Sequence, residues 1–352
     1  MGVVIMIDPK NIRWDELTFS LTPTRTMFIT TCKADGEWKS VPLQPFGNIS
    51  LSPAACVLNY GQGLFEGLKM HSHKDGKTFT IFRPQENAAR LAYGCERLCM
   101  PPVPKELFME AVTAVAKDNK DFTPPYNPNS ASQGSLYIRP TVWGTAPLLG
   151  VAPSPEYTFM VFCSPVGPYF KTGFKPIKLK MLKEYHRSAP GCTGGVKAIG
   201  NYAGGMLPAK KAKAEGYQEV LYLDAVESRY IEEVGAANFF CIKGNRLITP
   251  ALGGSILPGI TRKSLLQLAK DRLGMVVEER KISFEEVFDS DEAFATGTAA
   301  VISPIGLINY EGKDHIFSKG EVGMLTRKLY DMLLGIQHGL EPDLYGWLHK
   351  IE

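Results

Sequence analysis

Six glycines crowd the fifteen residues from Gly191 to Gly205, GCTGGVKAIGNYAGG, and the only charged side chain among them is Lys197. Glycine lets backbone approach a ligand closely and take conformations that other residues avoid. Whatever fold surrounds this stretch must therefore leave a loop there that is open to close contact. Val196, Ala198 and Ile199 are apolar, which argues for partial burial of the lysine and a lowered amine pKa. A neutral amine is both nucleophile and base, as Schiff-base chemistry with an aldehyde cofactor requires. A solvated lysine in a flexible loop is the alternative.

At 352 residues the chain exceeds what one core usually supports, so two domains or one large α/β domain are expected. A formal charge of +3 gives no basic field for nucleic acid. No apolar run nears the roughly 20 residues that span a bilayer. The short apolar run Val3 to Ile7 is followed by Asp8, Asp15 and Glu16, which fits neither a secretory signal nor an acid-poor transit peptide. A cytoplasmic protein is expected, or a mitochondrial or plastid one whose targeting segment is missing from this sequence. The seven cysteines are scattered without a CxxC pair, consistent with reduced thiols. Cys95 and Cys99, one helical turn apart beside Leu91 and Leu98, read as core rather than as metal ligands. His71 and His73 flank a hairpin tip at Lys74-Asp75-Gly76 and read as solvent-exposed. No metal site is expected.

Residues 1 to about 170 have the pattern of an α+β unit. Strands are predicted over 27–32, 64–70, 78–82, 136–143 and 157–163, and helices over 86–100 and 105–117. Lys171 to Pro176 has the turn and charge content of a linker. Beyond it, Ile177, Leu179 and Met181 alternate with lysines as in a half-buried strand. A helix is expected after the glycine-rich stretch, then strands over 219–223, 238–242 and 275–279 and helices over 261–273 and 321–337.

Several short segments carry possible chemistry. Leu257 to Arg262, LPGITR, is a turn running into a helix, where unpaired amides and the macrodipole favour an anion such as phosphate; a Thr261 N-cap is the plainer reading. Thr296-Gly297-Thr298-Ala299-Ala300 offers a second set of amides and hydroxyls. Glu232 and Glu233 place a carboxylate at an apolar strand end, where a pyridine nitrogen is one partner for it, although both also suit a solvated turn. Tyr137 and Arg139 lie two apart on a predicted strand and point to one face, an arrangement that holds a carboxylate or makes a salt-bridged surface. Gly61 to Gly67 has GxGxxxG spacing, not the GxGxxG of a dinucleotide loop.

Taken in order, YGQGLFEGLK at 60–69, FRPQENAARL at 82–91, SLYIRP at 135–140, SPVGPYF at 164–170, GGVKAIGNY at 194–202, EEVGAANFF at 232–240, ILPGITR at 256–262 and ATGTAA at 295–300 resemble the fold-type IV pyridoxal-phosphate enzymes. Within that family the resemblance is to the branched-chain amino-acid aminotransferases of the eukaryotic type. It implies a small N-terminal α/β domain over residues 1–170, an interdomain linker over 171–184 and a larger C-terminal pseudo-barrel domain over 185–352 that binds pyridoxal 5'-phosphate. It also implies that Lys197 forms the Schiff base and that Glu233 pairs with the pyridine nitrogen. Arg90, Ile260, Thr261 and Thr298 are then expected around the phosphate, and Gly297 and Tyr202 against the cofactor. Helical periodicity alone points Arg90 away from the stripe of Ala88, Leu91, Cys95 and Cys99, so its role comes from the resemblance.

For substrate, the resemblance assigns Tyr137 and Arg139 to the glutamate carboxylate, the Ala299 amide to the α-carboxylate, and Tyr60, Phe65, Val151 and Tyr169 to the apolar pocket. Tyr60 and Val151 are expected to reach across from a second subunit, which implies a homodimer. The implied reaction passes the amino group of leucine, isoleucine or valine to 2-oxoglutarate. Two departures stand out. Ala300 and Ser303 occupy the positions of a CxxC pair found in mammalian members, and Ala236 replaces a frequent threonine. The alternatives are D-amino-acid transamination, aminodeoxychorismate lyase chemistry and, from another class, a nicotinamide-dependent dehydrogenase.

Overall fold

The alternating burial along Ser135–Gly144 shows how the first half is built. Leu136, Ile138 and Val142 point to one side and are fully buried, while Tyr137, Arg139 and Thr141 point to the other. A computed structural model describes residues 8–130, 133–167 and 174–352. The expected apolar run at 3–7, Tyr169 and residues 168–173, which include the start of the expected linker, lie outside the described residues.

The chain divides into two compact units, one comprising 1–171, 196–200 and 334–352, the other 172–195 and 201–333. In the first, an eight-stranded antiparallel sheet runs in the order Leu348–Ile351, Phe79–Phe82, Leu68–Ser72, Ser135–Gly144, Glu156–Val166, Thr26–Lys33 and Gln44–Pro45, with Gly63–Phe65 also on Ser135–Gly144. Helices Pro84–Arg97 and Lys105–Asp118 bury Ala88, Leu91, Phe108 and Val112 in one cluster with Leu136, Ile138 and Val142. The helix-facing side is thus the core, and the side bearing Tyr137 and Arg139 is left for other work.

In the second unit six strands close a ring: Ile231–Val234, Glu219–Leu223, Ile177–Leu182, Val301–Tyr310, Glu292–Gly297 and Ala237–Lys243, which pairs back to Ile231–Val234. Closure removes both sheet edges within the ring. The Arg246–Thr249 and Val276–Glu279 strands extend the sheet from Ala237–Lys243. Helix Met206–Ala214 joins two parallel strands of the ring, and helix Ile260–Leu273 follows a tight approach at Gly259.

Three expectations need correction. The single strand at 64–70 is two, Gly63–Phe65 and Leu68–Ser72, which pair with Ser135–Gly144 in one register with the Glu66 amide bonded to the Pro140 carbonyl between them. His71 is buried, not exposed, since its strand is covered on both faces, and its ring meets His338 edge-on with centroids 4.7 Å apart. Cys99 is exposed, because the helix ends at Arg97 and Cys99 turns out with φ 53°.

Candidate active site

In the first unit, the outer face of the sheet gathers Lys197, Phe65, Arg139 and Tyr137. The backbone amide of Phe65 donates to the carbonyl of Lys197 at 3.2 Å, and Leu64 bridges to Ala198, so the lysine segment is laid onto the sheet as a short extra strand. Val196 and Ala198 are buried and Lys197 is half-buried, with its Nζ 4.5 Å from the centroid of the Phe65 ring. The Arg139 guanidinium lies 4.6 Å from the same centroid and donates from Nη2 to the Tyr137 hydroxyl at 3.3 Å. Arg139 Nε is buried without a hydrogen-bond partner among the described residues, a donor set suited to a carboxylate. Gly67 permits this crowding, because a Cβ there would lie 2.0 Å from the Tyr137 hydroxyl.

Arg90 is in the same unit. Although outside the apolar stripe of its helix, its side chain is only 8% exposed and pairs with the fully buried Glu66, Nε to Oε1 at 2.8 Å and Nη2 to Oε2 at 2.7 Å. Tyr60 ends the helix Cys56–Tyr60, and its hydroxyl donates to the carbonyl of Leu149. Val151 follows two residues later, 85% exposed.

The second unit holds the other set. Glu232 and Glu233 are both buried in Ile231–Val234, which excludes the solvated turn. Glu233 accepts from Asn238 Nδ2 at 3.0 Å and pairs with Arg187 Nη1 at 2.8 Å. Arg187 also donates to the carbonyls of Ser255 at 2.8 Å and Gly194 at 3.3 Å. Glu232 accepts from the Ser255 hydroxyl, and burial pushes its carboxyl above the usual range. Gly194 lies so near Ser255 that a Cβ would fall 2.1 Å from its carbonyl oxygen, the close backbone approach expected of the glycine-rich stretch.

Ile260 and Thr261, both buried, open the helix Ile260–Leu273; its N-cap is Gly259 and no side chain caps it. Thr261 is therefore a first-turn residue, not the cap, and no cap side chain meets the first-turn amides. Gly297 ends a strand and Thr298 and Ala299 form the turn to Val301–Tyr310, with Val301 held at φ 62°. Tyr202 lines a cavity of about 180 Å³ with Arg187, Asn201, Glu219, Tyr222 and Ala236. Burial raises the pKa of the Glu219 carboxyl in that cavity.

Glu66, Arg187 and Asn238 are absent from the sequence-based set. Glu66 lies in YGQGLFEGLK and Asn238 in EEVGAANFF, where an acid and an amide within apolar runs each call for a buried partner. Arg187 lies in none, and only the structure brings it to Glu233. Lys69 is a further omission. It pairs in register with Tyr137 across the sheet, and burial pushes its ammonium pKa down to about 8. Among the described residues no group of three or more metal-ligating side chains occurs, and no helix is long and apolar enough to cross a membrane.

Residues 63–308 match the family model for amino-transferase class IV. The chain is 49% identical over 343 residues to the branched-chain-amino-acid aminotransferase 3, chloroplastic, of Arabidopsis thaliana, covering 97% of this chain and 82% of that one. Among solved structures it is similar to the Escherichia coli branched-chain amino acid aminotransferase, with TM-score 0.78, 27% identity and coverage of 94% and 100%. It is similar also to the branched-chain aminotransferase of the thermophilic archaeon Thermoproteus uzoniensis, solved with norvaline, with TM-score 0.77, 26% identity and coverage of 94% and 100%. The family model spans more than half of the chain and the relatives nearly all of it: it belongs to the class IV aminotransferase family, in its branched-chain aminotransferase group.

Proposed function

We propose that this protein is a pyridoxal-phosphate-dependent transaminase of branched-chain L-amino acids, passing the amino group of leucine, isoleucine or valine to 2-oxoglutarate and releasing a branched 2-oxo acid and L-glutamate. The observation that carries this is Lys197, half-buried on a sheet face with its Nζ over the Phe65 ring and beside the Arg139–Tyr137 pair. The residues fit the cofactor: a buried carboxylate at Glu233 suits a protonated ring nitrogen, and a helix start without a capping side chain at Ile260 suits a phosphate. When bound, pyridoxal 5'-phosphate supplies an aldehyde for the amino group and a ring that accepts the electrons left at Cα.

The chain's own residues do the rest. Lys197 would hold the cofactor through Nζ and, as a free amine, would carry the substrate's α proton from Cα to the cofactor's aldehyde carbon. Phe65 keeps water from that amine with its ring. Glu233, fixed by Arg187 and Asn238, would face the ring nitrogen. Arg90, Ile260, Thr261 and Thr298 would hold the phosphate, and Gly297 and Tyr202 would contact the cofactor. Arg139 with Tyr137 receives the acceptor's carboxylate, and the Ala299 amide receives the α-carboxylate.

Tyr60, Val151 and Tyr169 complete the apolar pocket in a homodimer. Leu149 and Val151 support that assembly, being 92% and 85% exposed on a loop tied down by Tyr60. Light scattering of a Val151→Asp protein tests it, with a monomer of reduced activity expected. The division into 1–170, 171–184 and 185–352 is likewise proposed, as is a cytoplasmic placement or, with a targeting segment, a mitochondrial or plastid one. Limited proteolysis tests the first and fractionation of cells carrying the tagged chain the second.

Lys197→Ala in the full-length protein is expected to lose leucine turnover by at least about 10³-fold and to lose the visible absorbance of the lysine-linked cofactor. Retained turnover removes the mechanism. Turnover of D-alanine in place of L-leucine assigns the site to another fold-type IV reaction.

A further inference from the structure

Three consecutive residues, Phe65-Glu66-Gly67, each meet a different site group: Phe65 underlies Lys197 and Arg139, Glu66 grips Arg90, and Gly67 makes room for the Tyr137 hydroxyl. Of the three, Glu66 has no assigned role. Its carboxylate is fully buried, which is costly unless the charge is paired and hydrogen-bonded. Here it is both. Arg90 donates to the two oxygens separately, at 2.8 and 2.7 Å, and Asn87 Nδ2, one helical turn before Arg90, donates to Oε2 at 2.7 Å. The Glu66 amide donates to the Pro140 carbonyl at 2.8 Å, tying the backbone to the strand that carries Arg139.

We propose that Glu66 is the positioning residue for Arg90, fixing the plane and direction of its guanidinium so that it meets the cofactor phosphate already oriented. This rests on the reading that Arg90 faces that phosphate. A two-point contact removes rotation about the end of a long side chain, and a guanidinium fixed in advance loses less freedom when its ligand arrives. The charge of Glu66 acts in the opposite direction, because it offsets the charge of Arg90 and weakens attraction to an anion. The two roles therefore differ in sign.

The test uses full-length Glu66→Gln, Glu66→Asp and Arg90→Met proteins. Cofactor is stripped from each, and equilibrium affinities are measured for pyridoxal 5'-phosphate and for pyridoxal, which lacks the phosphate, alongside thermal denaturation. Both Glu66 variants are expected to bind pyridoxal 5'-phosphate about tenfold more weakly, the scale of one misplaced charged hydrogen bond, with pyridoxal changed by less than about twofold. Arg90→Met is expected to show a larger loss of the same kind. A Glu66→Gln protein that binds pyridoxal 5'-phosphate more tightly overturns the proposal in favour of a charge effect. Equal losses for both ligands, tracking a lowered melting temperature, overturn it in favour of a purely structural pair. Phosphate preference lost in Arg90→Met but kept in both Glu66 variants overturns the proposal alone, whereas preference kept in Arg90→Met overturns the underlying reading with it. Glu66→Asp keeps the charge and decides the matter if Glu66→Gln does not fold.

Discussion

Two buried arginine–glutamate pairs are built in opposite senses. In the first unit the acid is the fixed partner: Glu66 presents both oxygens to Arg90 and is itself steadied by Asn87. In the second the arginine is fixed: Arg187 is held by the carbonyls of Ser255 and Gly194 and pairs from Nη1 with Glu233 Oε2, while Asn238 donates to the other oxygen. The same ion pair thus orients a cation in one place and an anion in the other.

The comparison breaks most plainly if one arginine is dispensable. Arg90→Met and Arg187→Met each leave a buried carboxylate without its cation and are expected to cost about 3–5 kcal/mol of stability, measured by chemical denaturation; a loss under about 1 kcal/mol in either would mean that its pair is not what holds the carboxylate there. Replacing the acids sharpens the contrast. Glu233→Gln is expected to lower leucine turnover by about 10²–10³-fold in a folded protein that still binds cofactor, whereas Glu66→Gln acts first on cofactor retention. Stopped-flow single-turnover kinetics separates the two.

A third buried pair, His71 with His338, has no carboxylate between its members and marks what a counter-ion contributes. Burial pushes His338 down to about 4 and His71 well below the usual histidine range, with Lys69 and His73 adding in the same direction. The unfolded imidazoles take protons near 6.5 and the folded ones only at lower pH, so stability is full above about 6.5 and falls as pH drops toward 4. For His338 the loss is on the order of 3 kcal/mol. Urea denaturation across that window is expected to show it, and a His338→Phe protein to reduce it to the part that His71 contributes. The smallest effect is expected at the residue after Glu66. Gly67→Ala displaces the Tyr137 hydroxyl, and the KM for 2-oxoglutarate should rise about tenfold, or 1.4 kcal/mol, with the melting temperature little changed.

Much of the scaffold was legible beforehand. The expected strand at 219–223 and the helix beginning at Lys105 match the structure at their starts, because their apolar periodicity is written over a few neighbouring residues. The short Arg246–Thr249 and Ile231–Val234 strands went unseen. Four residues carry too little pattern, and the latter has two acids that read as a turn. His71 misled for the same reason: a polar residue near a hairpin tip resembles a surface one until its neighbours are known.

From the chain alone came the glycine-lined lysine, the same-face placement of Tyr137 and Arg139, and the helix start at residues 259–261, all properties of residues within a turn or a strand of one another. Tertiary structure alone decided that Arg90 meets Glu66, that Arg187 reaches Glu233 and Ser255, and that His338 lies against the strand of His71. Those partners stand 24, 68 and 266 residues apart in the pairs Arg90–Glu66, Arg187–Ser255 and His338–Ser72. The physical reason is that a charge or imidazole in a dry interior is stabilised by whichever group the fold delivers to it. Local sequence encodes the need for a partner, and only long-range packing supplies its identity.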